Sequence, residues 1–240
     1  MALLVAAPAV AGEFAVNPVR LDLGAAARSG ALEVRNEGEH PLGFQVQAKE
    51  WTQDAQGKDQ YLDTADLVFF PKVMTVEPRQ ERVVRVGIKR AVTTVEKTYR
   101  LYIEELPSNV RAGEAKGAQI NLLIRFGAPI FVAPLKPEDG LQLLQVDVVK
   151  GEVSLSARNT GNRHQVIQGI HLRGADATGK EVYALSLADR YLLAGATKTY
   201  RTAIPADRCK GMVSLTVEYK TDRLTTARKL DLSPAQCNPE

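Results

Sequence analysis

Histidine, tryptophan and cysteine are all scarce in this 240-residue chain, and each scarcity removes a class of function. The three histidines are His40, His164 and His171. None stands at metal-ligand spacing from cysteines or carboxylates, so no metal site is expected. His164 and His171 are an odd number of residues apart, so an extended strand sends them to opposite faces. Aromatic residues make up only 6% of the chain, with Trp51 the single tryptophan. That is too little to line a ligand pocket, and neither a small-molecule substrate nor a cofactor is expected. The phosphate-binding loop, the glycine-rich dinucleotide fingerprint and the Gly-x-Ser-x-Gly elbow are all missing. Glu104 and Glu105 are adjacent carboxylates, but neighbouring strand residues point apart and cannot work as an acid–base couple. These absences argue against an enzyme. The net charge is only +3, from 31 basic and 28 acidic residues, too weak a field for a nucleic-acid or membrane partner. No window approaches the ~18 apolar residues of a membrane-spanning helix.

What remains is ordinary globular material, 45% hydrophobic and 25% charged, with strand signals throughout. Strand-like runs, several with period-two alternation, cover residues 14–23, 31–36, 42–51, 81–89, 99–106 and 120–132. Shorter apolar runs cover 67–70 and 73–76. Pro134, Pro137 and Gly140, with a charge cluster between them, mark a domain boundary. A second series follows over residues 141–149, 152–159, 165–173, 181–187 and 198–204. Residues 184–193 read as strand or loop, with a helical turn as competitor. Asn159-Thr160-Gly161 echoes Asn36-Glu37-Gly38, each after an alternating strand, which points to a duplicated sandwich. Met1–Gly12 is small and apolar and ends in Ala-Val-Ala, the pattern of a secretory-signal remnant.

The two cysteines, Cys209 and Cys237, fit an exported protein with one disulfide. Residues 212–220 and 226–232 read as a hairpin centred on Arg223, which leaves the cysteines equidistant from the turn. Two free buried thiols are the alternative. Ile120, Leu122, Ile124 and Phe126 share one face of an extended strand. Periodicity alone leaves that face either in the protein's own core or offered to a partner.

Several motifs resemble the PapD-like pilus-assembly chaperones. VFFPKVMTVEPRQERVVRVG at 68–87, YRLYIEELP at 99–107 and INLLIRFGAPIFVAP at 120–134 match that family in order and spacing. Pro18-Val19-Arg20-Leu21 and Leu32 to Asn36 fit its first two strands. The wording is most similar to the archaic (alternative) branch. The resemblance implies an all-β protein of two immunoglobulin-like β-sandwich domains in an L-shaped (boomerang) arrangement. The expected domains are 13–134 and 135–240, after a signal remnant at 1–12. It implies a periplasmic chaperone that binds pilin (fimbrial) subunits by donor-strand complementation and delivers them to an outer-membrane usher. The donor strand is then Ile120, Leu122, Ile124 and Phe126, and the odd-numbered face, with Leu123 and Arg125, turns to the chaperone's own sandwich. The polar stretch 108–118 either joins that edge or stays mobile until a subunit binds. The family also anchors the subunit's C-terminal carboxylate with basic residues in the cleft between domains. Arg20 matches its strand-A arginine, while Pro129 stands where the family has a lysine, which leaves Arg100 or Arg125 to supply the second charge. Self-association of the free chaperone would hide the donor face. The competing reading is a tandem immunoglobulin-like surface or adhesive protein, in which that strand has both faces buried or a polar outer face.

Overall fold

The computed structural model describes residues 14–89, 93–107 and 122–237. The chain divides into two compact units. Met1–Gly12, Ser108–Ala118 and Ile120 lie outside the described residues.

Unit 1 comprises the described parts of 1–51, 61–92 and 98–132. Its strands are β1 (Phe14–Asn17), β2 (Leu21–Leu23), β3 (Ser29–Asn36), β4 (Leu42–Gln53), β5 (Asp59–Asp63), β6 (Leu67–Phe70), β7 (Val73–Val76), β8 (Glu81–Ile88), β9 (Lys97–Glu105) and β10 (Arg125–Val132). The last residues of β4, the first of β5 and the first of β9 fall in unit 2. One sheet runs β1-β3-β8-β6; the other runs β2-β10-β9-β4-β5, with β7 also on β4. The β2–β10 pair is parallel, Leu21 opposite Ile130. Alternation builds the core: Leu32 and Val34 of β3, Val84 and Val86 of β8, and Leu101 and Ile103 of β9 are all buried in one cluster.

Unit 2 comprises the described parts of 133–240 together with 52–60 and 93–97. β11 (Leu141–Val149), β12 (Glu152–Asn159) and β16 (Thr197–Ala203) form one sheet. β14 (Glu181–Leu187), β13 (Gln165–Ala175), β17 (Ser214–Thr221) and β18 (Thr225–Asp231) form the other, with β15 (Tyr191–Leu192) on β13. Both units are thus pairs of packed sheets, as an immunoglobulin-like sandwich requires. Lys150 and Gly151 both take positive φ, 52° and 79°, in the two-residue loop between β11 and β12. That backbone matches strand twist and favours glycine at the second place.

The two asparagine corners are the same device used twice. Asn36 ends β3 fully buried; its Nδ2 donates to the carbonyls of His40 at 2.7 Å and Val76 at 2.9 Å. Its Oδ1 accepts the Gly38 N–H at 2.8 Å. Asn159 ends β12 fully buried; its Nδ2 donates to the carbonyls of Arg163 at 2.7 Å and Leu192 at 3.0 Å. Its Oδ1 accepts the Gly161 N–H at 3.0 Å. An amide supplies both donors and the acceptor that each corner needs, which an aspartate could not.

Residues 133–140 are held within unit 2. The Asn162 side chain accepts the Glu138 N–H at 2.8 Å and donates to the Lys136 carbonyl at 2.8 Å. Arg163 grips Asp139 through two bonds of 2.8 and 2.6 Å. Segment 93–97 is held by the same loop: Asn162 Nδ2 donates to the Thr94 carbonyl at 3.0 Å, and buried His164 meets Glu96 at 2.8 Å.

Two sequence expectations are corrected. The single strand read over 14–23 is two, β1 and β2, which lie in different sheets. The last strand of unit 1 starts at Arg125, and Leu122–Ile124 lie outside it. The Glu105 N–H bonds the Ile124 carbonyl at 3.0 Å, and the next position on that side of β9 is Pro107, which has no N–H to give, so β9 cannot extend the ladder. Residues 184–193 are strand and loop as read, the end of β14 and then β15, without the competing helical turn. The cysteines are bonded as expected, with Cα atoms 5.4 Å apart, and sit in short helical turns just beyond the paired strands. These turns are α1 (Ala206–Cys209) and α2 (Pro234–Cys237).

Replacing Asn159 by Ala strands two carbonyls and one N–H, and should cost about 2–4 kcal/mol in urea unfolding, with Asn36→Ala costing the same. The disulfide closes a separation of 28 residues. Its removal by paired Cys→Ser substitution should cost about 3–4 kcal/mol, read as a lower midpoint of chemical denaturation. The bond to Arg163 holds the Asp139 carboxyl below the usual aspartate range against the opposing effect of burial. A folded-state value below the unfolded one gives stability that is present above the unfolded value and lost as pH falls through the folded one. Stability of the wild type should therefore fall below the ordinary aspartate range, and more steeply than that of Asp139→Asn.

Candidate functional site

The site is built on β10, and pleat parity decides what each residue faces. Ala128, Ile130 and Val132 are buried in the unit 1 core. Phe126, of the same parity, is partly buried against that core. Ile124 is half-buried, and Leu122 is 74% exposed. One apolar series therefore runs from packed, at Val132, to open, at Leu122. Leu123 beside it is exposed as well, so the chain leading into β10 presents two leucines to solvent.

The odd-numbered face does not turn to the sandwich, which corrects the expectation for Arg125. Because the even positions fill the core, Arg125 must point outward. Its guanidinium lies 3.8 Å from the Tyr102 ring centroid, with Glu104 at 3.7 Å. Tyr61 packs edge-on to Tyr102, centroids 5.9 Å apart. Leu123, also of odd number, is exposed.

Arg100 shares this outer face, because its β9 neighbours Tyr99 and Leu101 are buried in the core. Its guanidinium carbon lies 4.0 Å from the Trp51 ring centroid, and its Nη1 donates to the Gly127 carbonyl at 3.1 Å. Trp51 in turn meets Phe131, centroids 6.0 Å apart. Arg20 precedes β2, whose Leu21 and Leu23 are buried, so Arg20 and Asp22 point outward together, joined at 3.1 Å. The parallel register, Leu21 opposite Ile130, places Arg20 beside Pro129 when continued by one residue. On the other side, Glu104 meets Arg125 and Tyr102 covers Gly127, so Arg100 also falls beside Pro129. Pro129 thus separates two arginines on one face.

The structure brings Arg20, Arg100 and Arg125 to one sheet surface. The Arg20–Asp22 and Arg125–Glu104 pairs are solvent-exposed, so each contributes about 0–1 kcal/mol. Trp51 and Tyr102, the aromatic seats of two arginines, were not legible in the sequence; their signal was parity with Lys49 and with Arg100. Glu104 and Glu105 do point apart, the first outward and the second buried. Among the described residues no cluster of three or more His, Cys, Asp or Glu could hold a metal ion.

Residues 13–138 match the family model of the pili and flagellar-assembly chaperones, PapD N-terminal domain. The chain belongs to this family of assembly chaperones. No curated protein sequence matches closely enough to add to that comparison. Solved structures share the fold over most of the chain. The CsuC–CsuE chaperone–tip adhesion subunit pre-assembly complex, from the archaic Csu pili of Acinetobacter baumannii, aligns with a TM-score of 0.61 at 18% identity, covering 91% of this chain and 98% of that one. The YadV chaperone gives a TM-score of 0.61 at 13% identity, covering 92% and 100%. The Salmonella enterica complex of SafA pilin with the SafB chaperone gives 0.59 at 14%, covering 93% and 99%.

Proposed function

We propose that this protein is a periplasmic chaperone that captures pilin subunits by donor-strand complementation and passes them to an outer-membrane usher. The observation that carries this reading is the open end of the β10 face. A subunit lacking one strand exposes a core groove and unpaired backbone. The segment 120–126 supplies both missing elements: backbone groups for the ladder, and Ile120, Leu122 and Ile124 for the pockets. Phe126 stays with the chaperone's own core and Leu122 reaches into the subunit. Each apolar side chain so buried contributes about 1.5–3 kcal/mol. Arg20 and Arg100, with Arg125 beside them, anchor the subunit's C-terminal carboxylate on the outer face. A desolvated carboxylate needs such charge-assisted donors.

The similar CsuC–CsuE and SafA–SafB complexes pair a chaperone with a tip subunit or a pilin, and the same class of partner is proposed here. The Cys209–Cys237 bond fits an oxidising compartment. The proposed domains are 13–134, which carries the site, and 135–240.

The test is co-purification from the periplasm with each pilin encoded beside the gene. Leu122→Asp adds a charge at a side chain that is already exposed, so folding survives while capture weakens by about 100-fold or more. Arg20→Ala should weaken it by about 10-fold. A Leu122→Asp protein that still captures its pilin sinks the donor-strand assignment. A well-folded wild type that captures no neighbouring pilin points instead to a tandem-domain surface protein.

A further inference from the structure

We infer that Trp51 is a positioning residue for the carboxylate anchor: it holds the Arg100 guanidinium flat on its ring, so that an incoming carboxylate meets a fork already oriented. This rests on the anchor reading above.

Trp51 is the chain's single tryptophan, and it is only 1% exposed although its parity sends it to the outer face of its sheet. On that face its β4 neighbours Gln47 and Lys49 are half-buried. A side chain of this size is buried there because other groups cover it. Arg100 lies over its ring at 4.0 Å, and Phe131 flanks it. The Thr98 hydroxyl donates to the Trp51 carbonyl, which fixes the backbone beneath the ring.

The arrangement gives Arg100 two fixed references. The ring sets the plane of the guanidinium, through the attraction of a cation for an aromatic face. The Gly127 carbonyl, accepting from Nη1 at 3.1 Å, sets its rotation within that plane. A free arginine surrenders much rotamer freedom on binding, whereas one held in this way has surrendered it already. Lysine carries the charge but neither the plane nor the fork. Arg125 makes the contrast: its ring partner Tyr102 is only part-buried, and its side chain is 46% exposed. Arg125 is therefore the looser of the two cations and Arg100 the fixed one.

The test compares two synthetic peptides from the C-terminal strand of a pilin encoded beside the gene, one ending in a free carboxylate and one in an amide. Their affinities for the full chaperone are measured by calorimetry, and the readout is the ratio of acid to amide. A loss of stability lowers both affinities alike and leaves the ratio unchanged. The wild type should prefer the acid by about 10- to 100-fold. Arg100→Ala should bring the ratio close to one, and Trp51→Leu should move it most of the way there. Trp51→Phe, which keeps an aromatic face, should retain most of the preference. Arg100→Lys should lose as much as Trp51→Leu, and it decides the matter if Trp51→Leu does not fold. An unchanged ratio in Trp51→Leu, or in Arg100→Lys, overturns the inference and leaves the anchor standing. A wild type without preference for the acid overturns the anchor reading, and the inference with it. An Arg100→Ala protein that keeps the full preference removes Arg100 from the anchor, and this inference fails while Arg20 is left to carry the site.

Discussion

Successive side chains of a strand leave on opposite sides, and everything about the site follows from how β10 obeys that rule. Its even-numbered residues close the core of unit 1 from Ala128 to Val132. The same parity carries the apolar series outward through Phe126 and Ile124 to exposed Leu122. The face that completes the protein's own sandwich and the face proposed to meet a subunit are therefore one face. No second apolar surface is needed, and the outer face is left free for charge.

That outer face is organised by the same constraint. Pro129 and Gly127 carry little or no side chain into it, and the space they leave is taken by neighbours from adjoining strands: Tyr102 over Gly127, with Arg20 and Arg100 on either side of Pro129. Two arginines are seated on aromatic rings, and two have carboxylate partners in solvent. Exposed pairs of this kind are weakly held. The surface is thus charged yet locally neutralised.

Local signals were the ones legible in the sequence. β11, β12 and β14 begin and end where alternation and turn residues place them, since a hairpin loop such as Lys150-Gly151 specifies itself. The disulfide was legible because its hairpin is local. β5 was not: Asp-Gln-Tyr-Leu-Asp is exposed throughout, so it has no burial period to read. The start of β10 depends on the end of β9, and Pro107 stops the ladder from across the sheet rather than from within the strand. Site residues were legible as types, arginines and an alternating apolar run. Their gathering on one face depends on a parallel pair, β2 with β10, whose register no local pattern contains.

The paired asparagine corners carry a consequence for how each unit finds its native pairing. A strand can slip by two residues and still present its apolar face inward, so hydrophobic patterning alone tolerates such an error. A buried amide at the strand's end does not. Slipped by two, Asn36 or Asn159 would leave the carbonyls of Val76 or Leu192 with no donor and would carry its own amide, unsatisfied, into an apolar interior. Each corner therefore discriminates among alignments that the core finds almost equivalent.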